Sequence, residues 1–227
     1  MYHSILSVLF MGMIPAAAQP ALQAQTLSIP VAPPAEIVSV AEHLSASGVV
    51  IMDAKSGQEL YGRQQTVRRP MASITKLMTA LLIVENHDLD EVVTIPSDVV
   101  DIEGNKAHLT PGERFALRDL LSALLISSAN DAAYTLATYA STTEASFVFD
   151  MNLRAKALGL HSTAFANPSG LDHPRQWSTP KDLAWLTLFA LQHPELRDRM
   201  GKRNTTITSK EGTTIALSHT HALVHGS

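Results

Sequence analysis

The 227-residue chain contains no cysteine. Disulfides, a thiolate nucleophile and cysteine-ligated zinc are therefore excluded, and the cellular compartment has to be argued from other features. Aromatic residues are scarce, at 5%, which leaves little surface on which bases could stack. An excess of positive charge is missing too: 17 Lys+Arg stand against 21 Asp+Glu, with no basic block, so the electrostatic footprint of a nucleic-acid binder is absent. There is no internal repeat. What is present is a 45% hydrophobic composition, enough to bury a sizeable core as one domain or two closely packed lobes.

The N-terminus supplies the compartment argument. Ile5 to Ile14 is an apolar run, with Pro15 behind it and then Ala16-Ala17-Ala18. This pattern resembles a secretory h-region followed by a small-residue cleavage site between Ala18 and Gln19. The run is too short to span a bilayer comfortably. The n-region has His3 but no Lys or Arg, and an uncleaved anchor or a mis-annotated start are the alternatives. Residues 1–18 are thus expected to be a signal peptide and residues 19–40, rich in Ala, Pro and Gln, a linker. The domain proper is expected over 41–227.

Gly48 to Asp53 reads as a strand, Ala54-Lys55-Ser56-Gly57 as a turn, and Glu59-Leu60-Tyr61 as the start of the return strand. A helix is expected from about Ser73 to Asn86, with Leu77, Leu81, Leu82 and Val84 as its buried stripe. After a turn at Thr110-Pro111-Gly112-Glu113, leucines at 117, 120, 121, 124 and 125 recur at helical spacing. Ser141 and Glu144 have the spacing of a capping box, with Gly159 placed to end that helix. Thr179-Pro180 opens another helix with Asp182 in its first turn, and Thr205 to Leu217 suggests a small hairpin. Strands at both ends around a helical middle predict an α+β protein.

Two motifs carry chemistry. Ser73-Ile74-Thr75-Lys76 has the S-x-x-K spacing of acyl-serine enzymes. Residues three apart share a helix face, so an amine can approach a hydroxyl. Serine is a poor nucleophile without an adjacent base, and lysine can be that base only if its pKa is lowered. Alone the pattern is weak, and Ser178-Thr179-Pro180-Lys181 repeats it as a decoy in which Thr-Pro reads as a helix cap. The second motif is Ser128-Ala129-Asn130, at the end of the helical stretch from Leu117. By itself it could be an ordinary Ser/Asn helix break. Paired with Ser73 and Lys76, it reads as a proton relay through Ser128 and a substrate amide contact through Asn130.

Here the sequence resembles a known family. Arg69 to Ala80 is similar to the nucleophile segment of the D-alanyl-D-alanine carboxypeptidases and endopeptidases, the low-molecular-weight penicillin-binding proteins of peptidase family S11. Leu125 to Ala133 resembles their second motif. Phe165-Ala166-Asn167-Pro168-Ser169-Gly170-Leu171-Asp172, with Ser178-Thr179 and Asp182-Leu183-Ala184, resembles a downstream segment that is not itself catalytic. The similarity runs from about Ser47 to the C-terminus. The stretch Ser218 to Val224 looks most like the periplasmic endopeptidase branch.

The resemblance implies a serine β-lactamase/DD-peptidase-like fold, with a helical lobe and an antiparallel sheet lobe, and catalytic residues Ser73, Lys76, Ser128 and Asn130. It implies no cofactor and no metal. The implied partners are peptidoglycan stem peptides, with β-lactams as covalent inhibitors; no nucleic acid is expected from the composition, and no stable membrane span after signal cleavage from the short N-terminal run. The implied compartment is the periplasm. The family's third motif, Lys-Thr-Gly on a strand lining the cleft, is not found: Val224-His225-Gly226-Ser227 has related residues in the wrong order. The chain is therefore expected to lack the C-terminal strands of its sheet lobe, as a fragment or a truncated gene product, and to be nearly inert as written. Carboxypeptidase against endopeptidase stays open. A serine β-lactamase shares the motifs, although neither Glu85 nor Glu113 matches the general base of the class A enzymes. A non-catalytic peptidoglycan-binding homologue is the alternative of a different class.

The remaining candidates have plain readings. His219, His221 and His225 lack a carboxylate placed to complete a metal cluster and read as a solvated strand end. Asp53, Asp131 and Asp172 could orient catalytic groups, with turn or cap roles the favoured reading, and Met71 and Met78 read as core.

Overall fold

Lys76–Asn86 (α1) is buried on every side from Lys76 to Ile83, the condition of a helix surrounded by others. A stripe of leucines therefore understates it. In the computed structural model, which describes residues 44–221, five helices pack around it: Leu117–Ile126 (α2), Asn130–Ser141 (α3), Glu144–Ala157 (α4), Pro180–Leu191 (α5) and Pro194–Met200 (α6). The core they enclose includes Leu81, Ile83, Phe115, Leu121, Leu124, Leu136, Phe147 and Leu186. The expected signal peptide and linker, and His225 with the residues around it, lie outside the described residues.

Three antiparallel strand pairs complete an α+β architecture. Val49–Met52 (β1) pairs with Glu59–Arg63 (β2), with a register shift between Ile51 and Met52, and β1 packs against α5. Val92–Thr94 (β3) pairs with Arg114–Ala116 (β4). Asn204–Thr208 (β5) and Thr214–Ser218 (β6) form the expected hairpin, packed on α2. Among the described residues no third strand joins β1 or β2, and no helix is long and apolar enough to cross a membrane.

The helix ends show why the local signals worked and where one did not. Thr179 accepts from Asp182 N at 3.2 Å ahead of Pro180, as its spacing predicts. Gly159 takes φ +76 just past α4. The Ser141/Glu144 capping box does not form. Ser141 ends α3 and its hydroxyl donates to Asp150 at 2.8 Å. Thr143 is the N-cap instead, accepting from Ser146 N at 3.1 Å. The hydroxyl next to the first turn wins because Ser141 belongs to the preceding helix.

Candidate active site

The segment before Ser73 is anchored to the entry of α5. Arg69 and Ser178 exchange two backbone hydrogen bonds, of 2.8 and 3.0 Å. Met71 is buried and Ala72 takes φ +46, a conformation that non-glycine residues adopt only when the surroundings impose it. Ala72–Thr75 then forms one 3₁₀ turn running directly into α1. Ser73 faces solvent, while Lys76, one turn on, is 2% exposed.

Lys76 Nζ has three partners: Ser73 Oγ at 3.1 Å, Asn130 Oδ1 at 2.7 Å and the carbonyl of Ser169 at 2.6 Å. Two of these can only accept, whereas the hydroxyl can accept or donate. A charged lysine donates to all three. A neutral one donates to Asn130 and Ser169 and accepts from Ser73, so either state leaves no atom unpaired. Burial lowers the Lys76 pKa to about 8, and the nearby negative charge of Asp131 works against that lowering.

Asn130 opens α3 and is held at each polar atom. Its N–H donates to Asn105 O at 2.7 Å, and Nδ2 donates to Glu103 O at 2.8 Å. Gly104, between those two acceptors, comes so close that a Cβ there would lie 2.5 Å from Asn130 Nδ2. Asp131, 1% exposed, accepts from Ala107 N, Leu109 N and Ala132 N at 3.0, 3.1 and 2.9 Å. It therefore fixes the same loop from the other side. Ser128 sits in the break between α2 and α3 with φ +56, and its hydroxyl has no hydrogen-bond partner among the described residues.

Lys76 and Asn130 are thus in direct contact, and Ser73 is in reach of Lys76. The decoy pair is separated. Ser178 is buried with its hydroxyl against that of Thr163 at 2.8 Å, and Lys181 pairs with Glu59 at 3.1 Å. Sequence reading missed the third partner of Lys76. The Asn167-Pro168-Ser169-Gly170 turn carries that carbonyl, and Thr79 Oγ1 donates to Pro168 O at 2.7 Å beside it. The Asn-Pro and Ser-Gly pairs announce a turn, but a backbone acceptor carries no side-chain signal.

Two concavities border the segment. One, of about 230 Å³, is lined by Pro70, Met71, Ala72, Asp172 and His173, and the other, of about 280 Å³, by Glu103, Tyr134, Glu144, Ser169 and Leu171. A larger one of about 720 Å³ opens beside the C-terminal end of α1, among Glu85, His87, Phe147 and Arg154, and holds none of the four residues.

Residues 35–225 match the family described as D-alanyl-D-alanine carboxypeptidase, peptidase S11. The chain belongs to this family. Among its relatives, D-alanyl-D-alanine carboxypeptidase DacF of Bacillus subtilis is 33% identical over 156 residues, 66% of this chain and 40% of that protein. A D-alanyl-D-alanine endopeptidase of Pseudomonas aeruginosa is 34% identical over 166 residues, 72% of this chain and 53% of that one. The chain thus spans about half the length of these relatives. The Streptomyces K15 DD-transpeptidase structure superimposes with a TM-score of 0.75 at 30% identity, covering 80% of this chain and 76% of that one. The helical core around α1 is the family's DD-peptidase fold, as the motifs imply.

Proposed function

We propose that the protein is a serine DD-peptidase that cleaves D-Ala-containing peptide bonds of peptidoglycan stem peptides, in cell-wall remodelling, after export to the periplasm. The observation that carries this reading is a buried lysine, its pKa brought down to about 8, lying 3.1 Å from the exposed Ser73 hydroxyl. Relatives named as D-alanyl-D-alanine carboxypeptidases and endopeptidases support it.

Neutral Lys76 takes the proton of Ser73 Oγ as that oxygen bonds to the substrate carbonyl carbon. The carbonyl electron pair moves onto oxygen, where the Ser73 N–H is one donor for the resulting oxyanion. When the C–N bond breaks, its electron pair goes to the leaving amine. That amine receives the proton from Lys76 through the hydroxyl of Ser128. Water then attacks the ester on Ser73, with the same groups acting in reverse. Asn130, held rigidly on both sides, orients Lys76 and hydrogen-bonds the substrate amide. A β-lactam, which also offers a strained amide carbonyl, is expected to stop at the ester.

The test uses the full-length product of the gene and a fluorescent penicillin, with the labelled peptide located by mass spectrometry. Covalent label on Ser73 that disappears in Ser73→Ala is the expected result. Label on Ser178, or undiminished label in the alanine variant, overturns the assignment.

A further inference from the structure

The turn that receives the Lys76 ammonium also touches the nucleophile's backbone. Gly170 has φ +92, and a Cβ built on it would collide with the peptide joining Ala72 to Ser73. The collision is closest at the Ala72 oxygen, next at the Ala72 carbonyl carbon, and reaches Ser73 N at 3.0 Å. That order means the carbonyl end of the peptide faces Gly170. No described peptide bond is cis, so C=O and N–H point in opposite directions. The Ser73 N–H is therefore turned away from Gly170, and among the described residues it donates to no other group.

The wall against which this peptide rests is itself fixed. Asn167 Oδ1 accepts from Ser169 N and Ser169 Oγ, both at 3.2 Å, and from Gly170 N at 2.7 Å, while its Nδ2 donates to Leu171 O at 2.8 Å. Buried Gln176 braces the turn from behind. It accepts from Ala166 N and Asn167 N at 3.1 and 3.3 Å and donates to Leu171 O at 2.9 Å. Opposite it, Ala72 is held at φ +46, a conformation that relaxes unless something prevents it.

We propose that Gly170 is a positioning residue: the bare Cα of this braced turn sets the plane of the Ala72–Ser73 peptide and so aims the Ser73 N–H as an oxyanion donor. Glycine is needed there because any side chain would displace that peptide. The oxyanion part rests on the serine acyl-transfer reading above, whereas the aiming of the peptide does not.

Gly159 is the control. It also lies at positive φ, +76, but has nothing within 4 Å of its built Cβ, so Gly159→Ala carries backbone strain without the collision. In ¹⁵N-labelled full-length protein, Gly170→Ala is expected to move the Ser73 amide resonance, and Gly159→Ala to leave it in place. With fluorescent penicillin, Gly170→Ala is expected to lower the acylation rate constant by about a hundred- to a thousand-fold, the usual cost of one oxyanion donor. The dissociation constant of the initial complex should stay within about threefold. Gly159→Ala should acylate as wild type. An unmoved Ser73 amide in Gly170→Ala, or an unchanged acylation constant, overturns the proposal. If wild-type protein takes no label, the acyl-transfer reading fails, and the amide comparison still decides whether Gly170 sets the peptide. Should Gly170→Ala not fold, Asn167→Asp tests the same wall, keeping the Oδ1 acceptor and replacing the donor to Leu171 O with a carboxylate oxygen that opposes it. The Ser73 amide moves if the turn sets that peptide and stays if it does not.

Discussion

Lys76 Nζ donates to the carbonyl oxygen of Ser169 at 2.6 Å, across 93 residues of sequence. Lys76, the first residue of α1, is therefore oriented by a loop that lies beyond α4. On the proposed acyl-transfer reading, replacing Lys76 with alanine leaves Ser73 without a proton acceptor. The expected loss in penicillin acylation is about a hundred- to ten-thousand-fold. Stopped-flow measurement of the labelling rate checks it, and a loss of less than about tenfold would assign the proton to another group.

The acylation rate is expected to rise with pH and level off above about 8, since only neutral Lys76 can take the Ser73 proton and burial brings its pKa down to about 8. A pH–rate profile between about 6 and 9.5 reads this directly. A rate that falls across that range contradicts the assignment.

Asp131 supplies the negative charge that opposes this lowering. Asp131→Asn is expected to move the inflection to lower pH, because the ammonium loses a stabilising neighbour. Ala107 N and Leu109 N donate to different oxygens of Asp131, so the same change sets an N–H₂ against one of these donors, and the melting temperature should fall as well. An inflection that stays put or moves upward rules out the electrostatic role.

Gly104→Ala places a methyl 2.5 Å from Asn130 Nδ2 at a backbone φ of +81. The Asn130 amide must then move, and its contact with Lys76 is lost or lengthened. Acylation should slow by about tenfold or more, given how steeply rate depends on placement. Gly112→Ala, at φ +83 with nothing in reach, controls for backbone strain and should acylate normally.

Ser178→Ala is expected to keep full penicillin labelling while lowering stability by about 1 kcal/mol, the usual worth of one buried hydrogen bond, here to Thr163. Thermal denaturation and labelling of the same sample separate the two effects.

What could be read in the sequence was what depends on local spacing. The Ser73–Lys76 pair, the break carrying Ser128 and Asn130, the Thr179-Pro180 helix start and the two hairpins all follow from residues a few positions apart. The capping box failed because Ser141 and Thr143 compete for the same helix start, and only the path of α3 decides between them. The Ser169 carbonyl, the Gly104 approach and the loop held by Asp131 were not legible. Each is a backbone position brought to the site by distant segments, and backbone atoms are the same at every residue. The phenylalanine-to-aspartate stretch from 165 to 172 was recognisable as a family feature, but its use as the cradle of Lys76 emerges only when α1 is packed against it.

The fold buries Lys76 at a cost to itself. A lysine that titrates near 10.5 in the unfolded chain and about 8 when folded binds fewer protons in the native state. Stability therefore rises with pH between about 8 and 10.5 and is depressed below 8. At neutral pH the gap is worth about 3 kcal/mol against folding. That is a large share of the total stability of an ordinary domain. The surrounding helices, apolar along nearly the whole of α1, must supply the surplus that keeps a charge-bearing side chain in their midst. Variants that erode this packing far from Ser73, such as Leu136→Ala in α3, should unfold the protein at neutral pH before they unfold it at pH 9.5.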